Sequence, residues 1–299
     1  MDLSNENVIY KEKEGVEYLQ FKKLLEYKKN IKHLYTLGLD RNFRTERLNK
    51  EIDEKEYEKT IEDYKKFSNI LNATEKDIIK PRQRHTKNVK IVKEKINKEA
   101  PDIGLEEYVD QDGLVTNKKG LILSTTNADC ILLLFYDPVK NVIANTHSGW
   151  KGTVQRIAIE TVKQMKEEYG SNPEDIICCI CPSIRKCHFE VEKDVKEIFE
   201  KEFKDIFDEI EENKEIEKNK QIQQAKYKKS DILEETIKGK KWHIDTVLIN
   251  KIILKKAGLK EENIIDSGIC SVCHSEQIHS YRVEKEKFKL NTALIKLEK

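Results

Sequence analysis

Cys130 and His147 are the residues whose types and spacing point most directly to chemistry. Cys130 ends the run Asn127-Ala-Asp-Cys, and an unbroken apolar segment, 131–136, follows it. Asp137-Pro-Val-Lys140 is turn chemistry with proline in its preferred second position. Residues 142–146 then read as a returning strand that leads to His147. If Pro138 and Val139 form the loop, Asp137 faces Lys140 and Cys130 faces His147, and a loop longer by one residue shifts the pairing by one position. Directly opposed residues have Cβ atoms roughly 4.5–5.5 Å apart. A thiolate and an imidazole at that separation can share one metal ion or act as a Cys–His nucleophile pair.

A catalytic zinc takes three protein ligands and leaves one position open. His85, at a turn before a strand and beside the side-chain amide of Gln83, is the expected third ligand. His33, His188, His243, His274 and His279 read as structural. Gly149-Trp-Lys151-Gly152-Thr153 runs into an expected helix start, where free N–H groups attract anions and Lys151 adds charge. Beside a metal ligand this suggests a phosphate site. Strand alternation points Asp129 away from Cys130, so it is expected to orient a ligand or a neighbouring loop. His188-Phe-Glu190 with Cys270-Ser-Val-Cys273 imitates the zinc-deaminase signature, but Ile269 stands where that signature has proline, and the pair is set aside. Cys178, Cys179 and Cys181 lie in an apolar strand, where cysteine acts as a small hydrophobe.

The elements that must position these residues are strands at 16–21, 33–37, 89–92, 114–116 and 121–126, then the two around the central turn. A helix covers 57–71, where apolar residues recur at helical spacing. Further on, a helix capped by Thr153 stops at Gly170, and another capped by Asp194 runs to Ile210. Residues 211–229 are a Lys/Glu/Gln run that reads as a solvated insertion. A strand at 242–244 precedes a helix capped by Asp245 or Thr246 and ended by Gly258. Strands are expected at 175–181, 264–265, 268–272 and 293–297. This mixture lacks the alternation of a Rossmann fold and indicates α+β, a mixed α/β sandwich, as one domain over 1–299.

Composition narrows the function classes. Hydrophobic and charged residues each make up 37% of the chain and the net charge is +1, so no global field recruits nucleic acid or an anionic membrane. No apolar run approaches the ~20 residues of a membrane span. The start, Met1-Asp-Leu-Ser, lacks the basic-then-apolar order of a signal peptide. Seven cysteines without a disulfide framework fit a reducing cytoplasm.

Taken together, Gln83-x-His85, Asp112-Gly-Leu-Val-Thr116, Ala128-Asp-Cys130, His147-Ser-Gly-Trp-Lys-Gly152, Pro182-Ser-Ile184, Phe189-Glu-Val191 and Ser280-Tyr-Arg282 form an ordered set. From about residue 16 to the end the chain resembles the laccase-domain family, also called multicopper polyphenol oxidase or peptidoglycan editing factor. Cys181 stands where members usually have glycine, and Ile278-His279 where many have two phenylalanines. The resemblance implies a single mixed α/β domain and a purine nucleoside phosphorylase with adenosine deaminase activity. Its substrates would be adenosine, inosine or methylthioadenosine, with phosphate. It implies zinc, with copper as the other candidate, on His85, Cys130 and His147, the trio already reached from the residues. Asp129 and Lys151 are the candidate catalytic residues, and Gly149, Lys151, Gly152 and Arg282 the candidate substrate or phosphate contacts. Three other functions stay open: copper-dependent phenol oxidation, a metal-free cysteine hydrolase, and a role in cell-wall quality control. Multicopper centres need many imidazoles, and this chain has seven scattered histidines.

Overall fold

A strand that is apolar at every position must be covered on both faces, and residues 131–136 are covered in that way in the computed structural model. The structure describes residues 1–44, 54–95, 102–103, 106–220, 226–236 and 239–298. In chain order its strands are β1 (Val8–Lys13), β2 (Val16–Phe21), β3 (Ile31–Thr36), β4 (Ile78–Lys80), β5 (Val89–Ile91), β6 (Asp102–Ile103), β7 (Gly113–Thr116), β8 (Ile122–Asn127), β9 (Ile131–Asp137), β10 (Val142–Ser148), β11 (Ile177–Ile180), β12 (Glu190–Val191), β13 (Leu233–Glu235), β14 (Trp242–Ile244), β15 (Ile264–Asp266) and β16 (Asn291–Leu297). The helices are α1 (Lys22–Leu25), α2 (Glu54–Ile70), α3 (Trp150–Val154), α4 (Ile157–Tyr169), α5 (Lys193–Glu202), α6 (Lys204–Lys220), α7 (Lys229–Ile232), α8 (Thr246–Lys256) and α9 (Tyr281–Glu284).

One sheet runs β1-β2-β3-β16-β8-β4-β6, a second β15-β11-β9-β10-β7-β5, and a small third β12-β14-β13. Alternation along β9 shows how they stack. Leu132, Leu134 and Tyr136 meet Leu19, Tyr35, Leu123 and Ile295 of the first sheet. Ile131, Leu133 and Phe135 face the helices, packing with Ala158, Met165, Phe199 and Ile253. The far face of the first sheet, through Val16, Leu34 and Leu294, is covered by Tyr64 and Phe67 of α2. The result is a mixed α/β sandwich with helix, sheet, sheet and helix layers. Asn145 ties β10 to the first sheet, its amide donating to the Leu123 and Ala293 carbonyls at 2.9 and 2.8 Å. No helix among the described residues is long and apolar enough to cross a membrane.

Several local expectations are corrected. Asp137 pairs with Val142, not Lys140, so His147 lies opposite Leu132 and not Cys130. The turn is longer because the Asp137 carboxylate accepts hydrogen bonds from the Val139 and Lys140 amides, at 2.8 and 3.0 Å. The register moves by two residues, and a two-residue shift keeps every side chain on its face. Thr153 does not cap a helix. It lies buried inside α3, which Gly149 begins, and its hydroxyl bonds Ser148 and Asn250. Asp194 sits in the first turn of α5, which Glu192 caps, and the helix expected to reach Ile210 divides at Phe203. The reading of 211–229 as a solvated insertion is not among these corrections: the backbone of α6 continues into it as far as Lys220, and Tyr227 packs against the helix-side core. Residues 221–225 of that stretch lie outside the described residues. At 268–272 only one bridge forms, Ser183 to Cys270, because Gly268 takes a left-handed φ of 70° and turns follow.

Candidate active site and metal centre

A buried carboxylate needs hydrogen-bond donors on all sides, and Asp112, fully buried just before β7, has them. Its oxygens accept from the backbone N–H of Arg84, His85 and Thr86 at 3.1, 3.0 and 2.8 Å and from the Thr86 hydroxyl at 2.8 Å. The fifth partner is His147 Nδ1 at 2.8 Å. Burial works against the charge, but His147 and the Thr86 donors outweigh it and hold the carboxyl at about 2. One side chain therefore fixes both histidines. It locks the loop that carries His85, whose φ of 60° is left-handed, and it turns the Nε2 of His147 towards Cys130. In the sequence Asp112 stands out only as the first residue of the Asp112–Thr116 motif, with no sign of this role.

Cys130 lies immediately before β9 and His147 near the end of β10. His85 Nε2 is 3.8 Å from Cys130 Sγ, and the ligand atoms of His85, Cys130 and His147 all lie within 4.8 Å of one another. Zinc bonds of about 2.3 Å to sulfur and 2.0 Å to nitrogen make a tetrahedral edge of about 3.5 Å. The donor set therefore fits a zinc held by three protein ligands. A Cβ on Gly149 would lie 2.6 Å from His85 Cδ2 and 3.2 Å from Cys130 Sγ, so only glycine leaves the ligands their room.

The three side chains are strongly coupled. Burial raises the Cys130 thiol, but His147 and His85 prevail and bring it down to about 6. Burial opposes the His147 charge, yet the Cys130 sulfur and Asp112 raise it. In metal-free protein the pair therefore rests as thiolate and imidazolium. Alkylation of Cys130 by iodoacetamide should follow a midpoint of about 6, level off above neutrality, and fall about tenfold per pH unit in acid. Peptide mass spectrometry separates Cys130 from the other cysteines, and a midpoint near the ordinary thiol value of about 8.5 would contradict the coupling.

The centre opens into a cavity of about 710 Å³ lined by Arg44, Arg82, Arg84 and Arg282 and by Phe189, Tyr281 and Phe288, among others. Asp129 has a left-handed φ of 82°. Its carboxylate turns from the sulfur to accept from the Ser271 hydroxyl at 2.6 Å and the Arg282 amide at 2.7 Å. Gly152 is buried behind the centre, with a Cβ position 3.3 Å from the Thr86 carbonyl. Lys151 is exposed, its Nζ 5.5 Å above the Trp150 ring, and it is absent from the cavity lining among the described residues. Arg44 and Arg82 carry no sequence pattern and were missed. In both, a buried nitrogen, Nη2 of Arg44 and Nε of Arg82, has no acceptor among the described residues.

A Bacillus subtilis protein named purine nucleoside phosphorylase YlmD is 32% identical over 176 residues, which are 59% of this chain and 55% of that protein. A protein named adenosine deaminase RL5, from an unknown prokaryotic organism, is 30% identical over 208 residues, 69% of this chain and 70% of its own length. The mouse protein named purine nucleoside phosphorylase LACC1 is 29% identical over 183 residues, which are 60% of this chain and 36% of the mouse protein. The chain thus spans about half or less of the length of the Bacillus and mouse relatives. The crystal structure of Bacillus licheniformis YfiH superposes with a TM-score of 0.74 at 24% identity, covering 94% of this chain and 96% of its own. That likeness shows the fold. The family described as multi-copper polyphenol oxidoreductase laccase matches residues 43–298, and the chain belongs to it.

Proposed function

We propose that this protein is a zinc-dependent purine nucleoside enzyme. It would cleave the glycosidic bond of adenosine, inosine or methylthioadenosine with phosphate, and would deaminate adenosine. The observation that carries this reading is the cavity, in which a three-ligand metal centre and four arginines face one space. The four arginines that line the cavity supply donors and positive charge suited to an oxyanion. The relatives named as nucleoside phosphorylases and an adenosine deaminase supply the substrate class.

Zinc held by His85, Cys130 and His147 would supply Lewis acidity and an activated water. The remaining work falls to the chain. Tyr281 and Phe288, edge to face at 5.1 Å, offer aromatic surface for a purine. Arginines orient phosphate, one oxygen of which bonds to ribose C1′ as the bond to purine nitrogen breaks and its electron pair leaves with the base. In deamination water adds at adenine C6 and ammonia leaves. Asp129 fixes the Arg282 backbone and the Ser271 turn, and so acts as a positioning residue. The donor set suits a multicopper centre less well. The cavity is lined by two histidines, while His33, His243 and His279 bond the Phe21 amide and the Lys186 and Arg41 carbonyls.

A charge-assisted hydrogen bond is worth about 1.5–3 kcal/mol. Arg44→Ala and Arg282→Ala should each lower kcat/KM for phosphorolysis by about 10- to 100-fold through phosphate, and deamination much less. Lys151→Ala, at the rim above Trp150, should have the smaller effect. Equal losses in both reactions for the arginine variants would assign these residues to the fold.

A further inference from the structure

The His188 and Cys270-Ser-Val-Cys273 motifs, set aside from catalysis on sequence, meet in space. The loop between β11 and β12 carries Cys187 and His188, and the turn after β15 carries Cys270 and Cys273. The four ligand atoms all lie within 4.8 Å of one another. Cys187 Sγ is 3.7 Å from Cys270 Sγ and 4.0 Å from Cys273 Sγ. His188 Nδ1 is 3.1 Å from Cys187 Sγ and 3.6 Å from each of the other two. A tetrahedral zinc with bonds of about 2.3 Å to sulfur and 2.0 Å to nitrogen sets S···S at about 3.8 Å and S···N at about 3.5 Å. A disulfide, with sulfurs about 2.05 Å apart, would use two of the four donors and leave two unexplained.

We propose that Cys187, His188, Cys270 and Cys273 form a second, structural zinc site, separate from the His85–Cys130–His147 centre. Three thiolates and one imidazole in a closed tetrahedron are donors that select zinc. Cys270-x-x-Cys273 has the spacing of a zinc-binding turn, and the backbone N–H groups of Val272 and Cys273 donate to the Cys270 sulfur, as does that of Arg185. Second contacts of this kind hold a thiolate ready for a cation. The site has four protein ligands, and the nearby Glu190 carboxylate is taken by Lys241 at 3.0 Å. No position and no general base remain for deaminase chemistry there. On binding, three thiols release their protons and three thiolates join the metal.

The site clamps the cavity wall. Ile184 and Phe189, on the same loop as Cys187, line the cavity. Ile184 N–H donates to the Asp129 carbonyl at 2.8 Å, and Ser271, between the two turn cysteines, donates to the Asp129 carboxylate. Arg185 holds Asp266 through two hydrogen bonds of 2.6 and 2.7 Å. The loop and the turn also meet at the Ser183–Cys270 bridge and at the Arg185 backbone N–H beside the Cys270 sulfur. A zinc across Cys187 and Cys273, 86 residues apart, closes this seam next to Cys130.

The test is metal counting on anaerobically purified full-length protein. Wild type should hold about two zinc ions per chain, Cys130→Ala about one, and the double variant Cys187→Ser with Cys273→Ser about one. The double variant should also melt at a lower temperature and expose 181–190 to faster hydrogen exchange. Cobalt substitution in Cys130→Ala covers the case in which the double variant fails to fold. The three-thiolate site should then give an intense sulfur-to-cobalt charge-transfer band, with tetrahedral ligand-field bands beside it. Cys130→Ala protein without metal and without that band would overturn the proposal, as would an intact Cys187–Cys270 or Cys187–Cys273 disulfide in anaerobically prepared protein. These readouts do not depend on nucleoside turnover.

Discussion

Asp112→Asn should cost the protein both metal and stability. The substitution keeps the size of the side chain and removes its charge. An amide nitrogen then faces a donor, because all five partners of Asp112 donate to it. Breaking a buried ionic contact by removing one partner costs about 3–5 kcal/mol. The carboxylate also sets the orientation of both ligand histidines, and loss of such a contact lowers metal affinity about 10- to 100-fold. The pH dependence follows from the depressed pKa. The folded value of about 2 lies below the ordinary 3.8, so the stabilisation is complete above about pH 4 and is lost as pH falls through the folded value. Chemical denaturation of wild type and variant at pH 7 should show the full gap, and the gap should narrow below pH 4. A gap under about 1 kcal/mol at pH 7 would show that Asp112 is not the organising group.

Gly149→Ala should separate metal binding from folding. The backbone at Gly149, with φ of −61° and ψ of 169°, suits any residue, so alanine brings no conformational strain there. The obstacle is the ligand set itself, with His85 Cδ2 at 2.6 Å from the new Cβ and Cys130 Sγ at 3.2 Å. The His85 ring is exposed and can swing away, so the fold survives. The ring then no longer meets the other two ligands. Metal affinity should fall about 10- to 100-fold, as for other changes that misplace a ligand, while the melting temperature of metal-free protein stays close to wild type. Chelator competition measures the first quantity and calorimetry the second. Unchanged affinity would mean that His85 is not a ligand.

What could be read from the sequence was what depends on short range and on pattern. The strands around the central turn were legible because an apolar run flanked by turn residues has few alternatives. Cys130 and His147 could be paired although the turn was misjudged, because an error of two residues leaves both side chains on one face. The role of Asp112 was hidden because its partner His147 is 35 positions away and its burial leaves no local trace. Arg44 and Arg82 sit in no periodic pattern, and only the folded cavity brings them together. Thr153 has the chemistry of a helix cap, but Ser148 and Asn250 engage its hydroxyl, and the short α3 forms around it. Cys187 could not be tied to Cys270 across 83 residues without the sheet that aligns their loops.

The central claim is that the Cys130 centre and its arginine-lined cavity turn over purine nucleosides. The direct measurement is chromatography of adenosine incubated with zinc-loaded wild type and with Cys130→Ala, each with and without phosphate. Wild type should release adenine and ribose 1-phosphate only when phosphate is present, and should form inosine in either case. Cys130→Ala should lose both products by at least about 100-fold, a difference of about 2.7 kcal/mol in the barrier. No product from zinc-loaded wild type, or equal turnover in Cys130→Ala, would contradict the account.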